Sequence, residues 1–111
     1  MSNYVPQRGD IVWINFTPQA GHEQIGKRPA LVISPLIYNK KVGLAVFCPI
    51  TSQIKGYPFE VLIPEGHKIH GVVLADQVKS LDYVSRKIQF ISKLPAVTTD
   101  EVLDKLMTLL K

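Results

Sequence analysis

A single cysteine, Cys48, stands in the 111 residues, too few for a disulfide or for a cysteine-based zinc site. It lies in the apolar run LAVFCPI, where a thiol is shielded and inert. So little cysteine points to a reducing setting, and a cytoplasmic location is expected. Long apolar runs are missing as well. Nothing approaches the roughly 18 uninterrupted apolar residues of a membrane span, and the opening MSNYVPQRGD has no apolar targeting core, so no membrane association is expected. There is no P-loop, no dinucleotide-binding glycine fingerprint, no nucleophile elbow and no paired-histidine zinc motif. His22, His67 and His70 are scattered over loop-like stretches and read as exposed loop residues, so neither metal nor cofactor is expected.

Acidic residues are absent from Gln24 through Phe59, a stretch that holds Lys27, Arg28, Lys40, Lys41 and Lys55. The segment from Thr98 to Lys111 is the reverse, with Asp100, Glu101 and Asp104 against Lys105 and Lys111. With a formal net charge of +4, this places a positive surface on the first half and makes nucleic acid a natural ligand. Ordinary solvated surface is the rival explanation. The 46% hydrophobic content argues against disorder, and the length fits one domain over residues 1–111.

Short apolar runs punctuated by glycine and proline predict strands up to about residue 93. GDIVWINF is the first, with Val12, Ile14 and Phe16 on one face and Ile11 and Trp13 on the other. TPQAGHEQIGK is a polar loop, long enough to suggest function. RPALVIS follows as a strand whose Pro29 suits a start or an edge, PLIYNKKVG as a turn or a single helical turn, and LAVFCPIT as a strand buried on both faces. PFEVLI, GVVLAD, VKSLD and KIQFISKL add strands at the spacing of a small antiparallel barrel, over about residues 8–95. The period then changes. Thr98 and Glu101 can form a capping box, and Val102, Leu103, Leu106, Met107 and Leu110 recur at helical spacing, predicting one amphipathic helix over about 98–110. The fold class is therefore mainly β with a C-terminal helix.

Polar groups at strand ends are what remain for chemistry. Arg28 begins the second strand and Thr51, followed by Ser52, ends the third; antiparallel pairing of these sequential strands would bring both to one end, where the loop carrying Glu23 also returns. Such a trio suits RNA cleavage by the neighbouring 2′-hydroxyl. A carboxylate can remove the hydroxyl proton, a guanidinium can clamp two phosphate oxygens and a hydroxyl can donate to a third, with no metal. The proton for the departing 5′-oxygen is the gap in this set, because a guanidinium holds its proton to a pKa above about 12. Lys27 and Lys55 are further candidates for phosphate, and Tyr57 beside Lys55 for stacking on bases. In LADQVKSLD, Asp76, Gln77 and Ser80 could read base edges and Lys79 could meet phosphate. Solvation of strand ends competes with each of these roles, and core packing with any role for Phe59.

The blocks GDIVWINFTPQAGHEQIGKRPALVISPLIYN, PITSQIKGYPFEV and GVVLADQVKSLD, in this order, resemble the MazF/PemK family of toxin endoribonucleases. The likeness is dense from Gly9 to Asp82 and weak in the terminal helix. It implies an SH3-like antiparallel barrel that forms a homodimer and cuts single-stranded RNA, including mRNA, at short sequence sites without metal. The implied products are a 2′,3′-cyclic phosphate and a 5′-hydroxyl. It also implies a cognate antitoxin whose acidic, flexible segment covers the RNA groove. Position by position, the family's catalytic arginine falls on Arg28, its catalytic threonine on Thr51 and its loop glutamate on Glu23, which becomes a supporting residue because arginine and threonine share the catalytic duties. The alternative is a non-enzymatic toxin of the related CcdB group, which binds DNA gyrase and would need neither Arg28 nor Thr51.

Overall fold

A computed structural model describes residues 4–16 and 27–111. Seven strands and two helices follow in the order β1 (Asp10–Asn15), β2 (Lys27–Val32), α1 (Leu36–Val42), β3 (Leu44–Thr51), β4 (Glu60–Leu62), β5 (Val72–Leu74), β6 (Lys79–Asp82), β7 (Gln89–Lys93) and α2 (Ala96–Met107). Each strand falls within a run marked out by the sequence. The strands are hydrogen-bonded in the order β4, β5, β3, β2, β1, β7, with β6 attached to β3 off this path, and each pairing is antiparallel. Among the described residues no ladder joins β4 to β7, so the expected barrel is an open one.

Because successive side chains leave a strand on opposite faces, the central strands feed two cores. Ile11, Leu31, Cys48 and Ile50 enter one, which α2 closes with Val102 and Leu106. Val12, Ile14, Phe16, Ala30, Val32, Ala45 and Phe47 enter the other, joined by Leu81 and Tyr83 and flanked by Tyr4 and Val5. The predicted faces of β1 and the double burial of β3 follow from this arrangement. β3 is also shared along its length: residues 44–47 pair with β6 and residues 50–51 with β5, while β2 runs along its other edge.

α1 is two turns rather than one. It starts after the extended Pro35 and stops at Gly43, whose φ of +81° lets its N–H reach the Asn39 carbonyl oxygen at 2.9 Å. Asn39 is fully buried and anchors this helix: its Nδ2 donates to the carbonyls of Pro6 (2.7 Å) and Ser34 (3.0 Å), while its own carbonyl accepts from Tyr83 Oη at 2.9 Å. The capping box expected at Thr98 and Glu101 does not form. Pro95, extended and with no N–H to lose, starts α2 a turn earlier, and Thr98 and Thr99 are buried within the first turn with their N–H groups on the Pro95 carbonyl at 3.1 Å. The apolar stripe also outruns its cover, since Met107 and Leu110 are exposed. No helix of the described residues is long and apolar enough to cross a membrane.

Candidate active site

The register of β2 on β3 sets the centre of the site. Ala30 lies opposite Pro49, and continuing that antiparallel register by two residues brings Arg28 opposite Thr51. Both then project on the face that carries Ala30 and Phe47. Arg28 is exposed and Thr51 half-buried, and together with Ser52 they line a groove of about 430 Å³. The Thr51 hydroxyl oxygen accepts the Gln53 N–H at 3.1 Å, which fixes the side chain and leaves its hydrogen to donate into the groove.

A second, smaller hollow of about 140 Å³ opens on the other side of Thr51, lined by Lys55, Tyr57, Glu60 and Gln77 among others. Its floor is a loop held by one carboxylate: Glu60 accepts the N–H groups of Lys55 (3.0 Å) and Gly56 (2.8 Å). Tyr57 Oη donates to Asp76 Oδ1 at 2.8 Å, tying this loop to the turn after β5. Partial burial and then that carboxylate raise the Tyr57 pKa above the ordinary 10.0, so the ring stays neutral. From the opposite flank Lys105 of α2 donates to the Pro58 carbonyl at 2.5 Å. The two carboxylates here already accept hydrogen bonds, while the ammonium of Lys55 and the guanidinium of Arg28 face solvent in exposed residues.

Of the sequence-derived candidates, Arg28, Thr51, Ser52, Lys55, Tyr57 and Gln77 therefore line adjoining hollows, with Asp76 joined through Tyr57. Lys27 reaches away, to Gln89 Oε1 on β7 at 2.7 Å. Lys79 lies over the Phe16 ring, 5.7 Å from its centroid, and Ser80 is exposed on β6 opposite Val46. Neither lines the two hollows. Glu23, with the loop that carries it, lies outside the described residues. Phe59 packs against the α2-side core, as its apolar context implies.

Sequence reasoning missed Lys68 and His70, which line the groove beside Arg28 and Thr51. They get there because β5 pairs with the end of β3, Val72 opposite Thr51, and because Gly71 packs on that strand end. The one signal available was the glycine after His70: its φ is +124°, and a Cβ there would overlap the Thr51 carbonyl oxygen. Among the described residues no group of three or more His, Cys, Asp or Glu side chains could hold a metal ion.

Comparison with known proteins adds an independent line. Residues 7–110 match the family described as PemK-like, MazF-like toxin of type II toxin-antitoxin system. The chain is 51% identical over 86 residues to the endoribonuclease toxin MazF of Escherichia coli, covering 78% of this chain and 77% of that one. It superposes on the crystal structure of MazF from Deinococcus radiodurans with a TM-score of 0.91 at 55% identity, over 97% of this chain and 98% of that one. A MazE–MazF crystal structure from the same organism gives a TM-score of 0.86 at 48% identity, with 97% of both chains covered.

Proposed function

Because the chain belongs to the PemK-like, MazF-like toxins of type II toxin–antitoxin systems, we propose that it is a cytoplasmic endoribonuclease toxin that cuts single-stranded RNA. The observation that carries this reading is the groove that Arg28 and Thr51 line together at the neighbouring ends of β2 and β3. An RNA strand laid across it would put a phosphate between a guanidinium and a hydroxyl donor. Attack by the 2′-oxygen piles charge on the non-bridging oxygens, and these two groups neutralise it in place. Glu23 is the supporting residue that the family likeness implies, Ser52 adds a donor at the groove's edge, and Lys55 and Tyr57 offer a cation and a ring for the flanking nucleotide. Gln77 lines the second hollow and Asp76 is joined to it through Tyr57, so both can read base edges, whereas Lys27, Lys79 and Ser80 lie outside the two hollows. The products are a 2′,3′-cyclic phosphate and a 5′-hydroxyl, with no metal in the step.

The toxin works as a homodimer, as a single domain per chain, and is silenced by an antitoxin whose acidic, flexible segment occupies the cationic groove. The MazE–MazF complex of a relative supports that partner. Relatives named as endoribonucleases do not favour the gyrase-binding alternative. Purified protein incubated with a long RNA in EDTA, with the fragment ends mapped, tests the reaction: specific cuts with cyclic phosphate ends are expected. Arg28→Ala should retain its fold and cut at least about 100-fold more slowly, the usual effect of removing a charge-stabilising donor. Full activity in a folded Arg28→Ala protein overturns the assignment, and loss of cutting in EDTA restored by a divalent ion overturns the metal-free step.

A further inference from the structure

The stretch between β3 and β4, residues 52–59, belongs to no strand or helix, yet it walls the second hollow with Lys55 and Tyr57. Its shape must come from something other than a ladder. The supports converge on Glu60, the half-buried first residue of β4. One carboxylate oxygen accepts the Lys55 N–H at 3.0 Å and the other the Gly56 N–H at 2.8 Å, while the Glu60 N–H donates to the Tyr57 carbonyl at 3.1 Å. Gly56, at a φ of +85°, turns the two successive N–H groups to one side, a concavity that suits an anion.

The hollow shaped in this way adjoins the groove, since Thr51 and Gln53 line both. A strand with its scissile phosphate beside Thr51 therefore lays a flanking nucleotide at the second hollow, whose volume of about 140 Å³ suits one base and not two. Its walls can discriminate between bases: the Gln77 amide offers a donor and an acceptor, Tyr57 a ring and Leu74 an apolar surface. Readout of this kind needs its walls held to about 0.5 Å. Tyr57 is held at its hydroxyl by Asp76, at 2.8 Å, and at its backbone by Glu60.

We propose that Glu60 is a specificity-determining positioning residue for a base that flanks the scissile phosphate, a proposal that rests on the groove being the place of cleavage. With both oxygens taken by backbone N–H groups, its carboxylate acts through Lys55 and Tyr57 rather than on the RNA. A loosened loop would let the hollow accept any base, while Arg28 and Thr51 keep their places on β2 and β3. Two substitutions separate position from charge. Glu60→Gln keeps the length but sets an NH2 group against one of the two N–H donors. Glu60→Asp keeps the charge but is one methylene short of reaching both.

Cleavage of a pool of RNAs of randomised sequence, with the fragment ends sequenced, gives the relative kcat/KM of every site for the wild type and for each folded variant. In both Glu60 variants the preference at one nucleotide next to the cut should shrink by about tenfold, within the range that a single base contact supplies, while the preferences at more distant nucleotides persist. Glu60→Gln alone should also bind an uncleavable 2′-O-methyl RNA of unrelated sequence more tightly, because a negative charge has left a cationic surface. Glu101→Gln, on the exposed side of α2, should leave the preferences unchanged. An unaltered profile in both folded Glu60 variants, an equal fall on all sequences, or a wild type without preference at either flanking nucleotide overturns the proposal. A changed profile in Glu60→Gln but not in Glu60→Asp overturns it too, since charge and not position would then be at work. Arg28→Ala tells the two readings apart: if it is inactive the groove stands whatever the Glu60 variants do, whereas wild-type cutting by a folded Arg28→Ala protein removes the groove itself.

Discussion

Cys48 shows how a residue's neighbourhood decides its chemistry. Its side chain is fully buried in the core that α2 closes, and burial first, then the Asp76 carboxylate, push the thiol from 9.0 up to about 12. In the folded protein the thiol stays protonated where the unfolded thiol would ionise. The folded state binds the proton more tightly, so this contribution to stability is intact below pH 9 and is lost as pH rises from there toward 12. Two outcomes follow. Iodoacetamide at about pH 8 should leave the native thiol unmodified and label it after denaturation. Cys48→Val, which keeps the volume and removes the titration, should lose less of its melting temperature than wild type between pH 9 and 11; equal slopes would mean that Cys48 carries none of the alkaline sensitivity.

At the scale of elements, the strands were legible because alternation and turn residues are local signals. The shared groove of Arg28 and Thr51 was legible for a related reason, since sequential strands pair antiparallel and bring these two strand ends to the same side without distant information. The His70 loop was not, because its place depends on β5 passing over its neighbour β4 to join the end of β3 as well. The start of α2 was misread where Pro95 overrode a plausible capping pair. Open closure of the sheet depends on which edges meet, and side-chain period does not report that. Gly71 is where the non-local join is most exposed to test. Gly71→Ala would force the alanine into a positive φ and drive its Cβ against β3, so backbone must shift at Thr51 itself. Such a change should cost about 1 to 3 kcal/mol of stability and lower cleavage well beyond what that loss explains when assayed where the variant is fully folded. Wild-type cleavage by folded Gly71→Ala would show that Thr51 does not need this buttress. Gly66, with a similar φ but open space for a Cβ, supplies the comparison: Gly66→Ala carries the strain without the clash and should leave cleavage intact.

For the whole molecule the relevant quantity is where charge faces solvent, more than the net +4. The stretch without acids, from Gln24 to Phe59, supplies Arg28 and Lys55 to the two hollows, and the loop before β5 adds Lys68. The local carboxylates Glu60 and Asp76 spend their acceptors on the loop that shapes the second hollow. A single strand crossing both hollows would therefore meet three cations and release the counterions they displace. Each neutralised phosphate of a single strand contributes about −0.7 to the slope of log affinity against log salt, so a slope near −2 is expected. An uncleavable 2′-O-methyl oligonucleotide measures it without turnover. Lys68→Gln should make the slope shallower by about 0.7 and weaken binding of unrelated sequences by a similar factor, because a phosphate contact carries no base information. Lys41→Gln, on α1, should leave the slope unchanged. If both substitutions alter it equally, the strand follows the protein's general charge, and the path over Arg28, Thr51 and Lys68 is wrong.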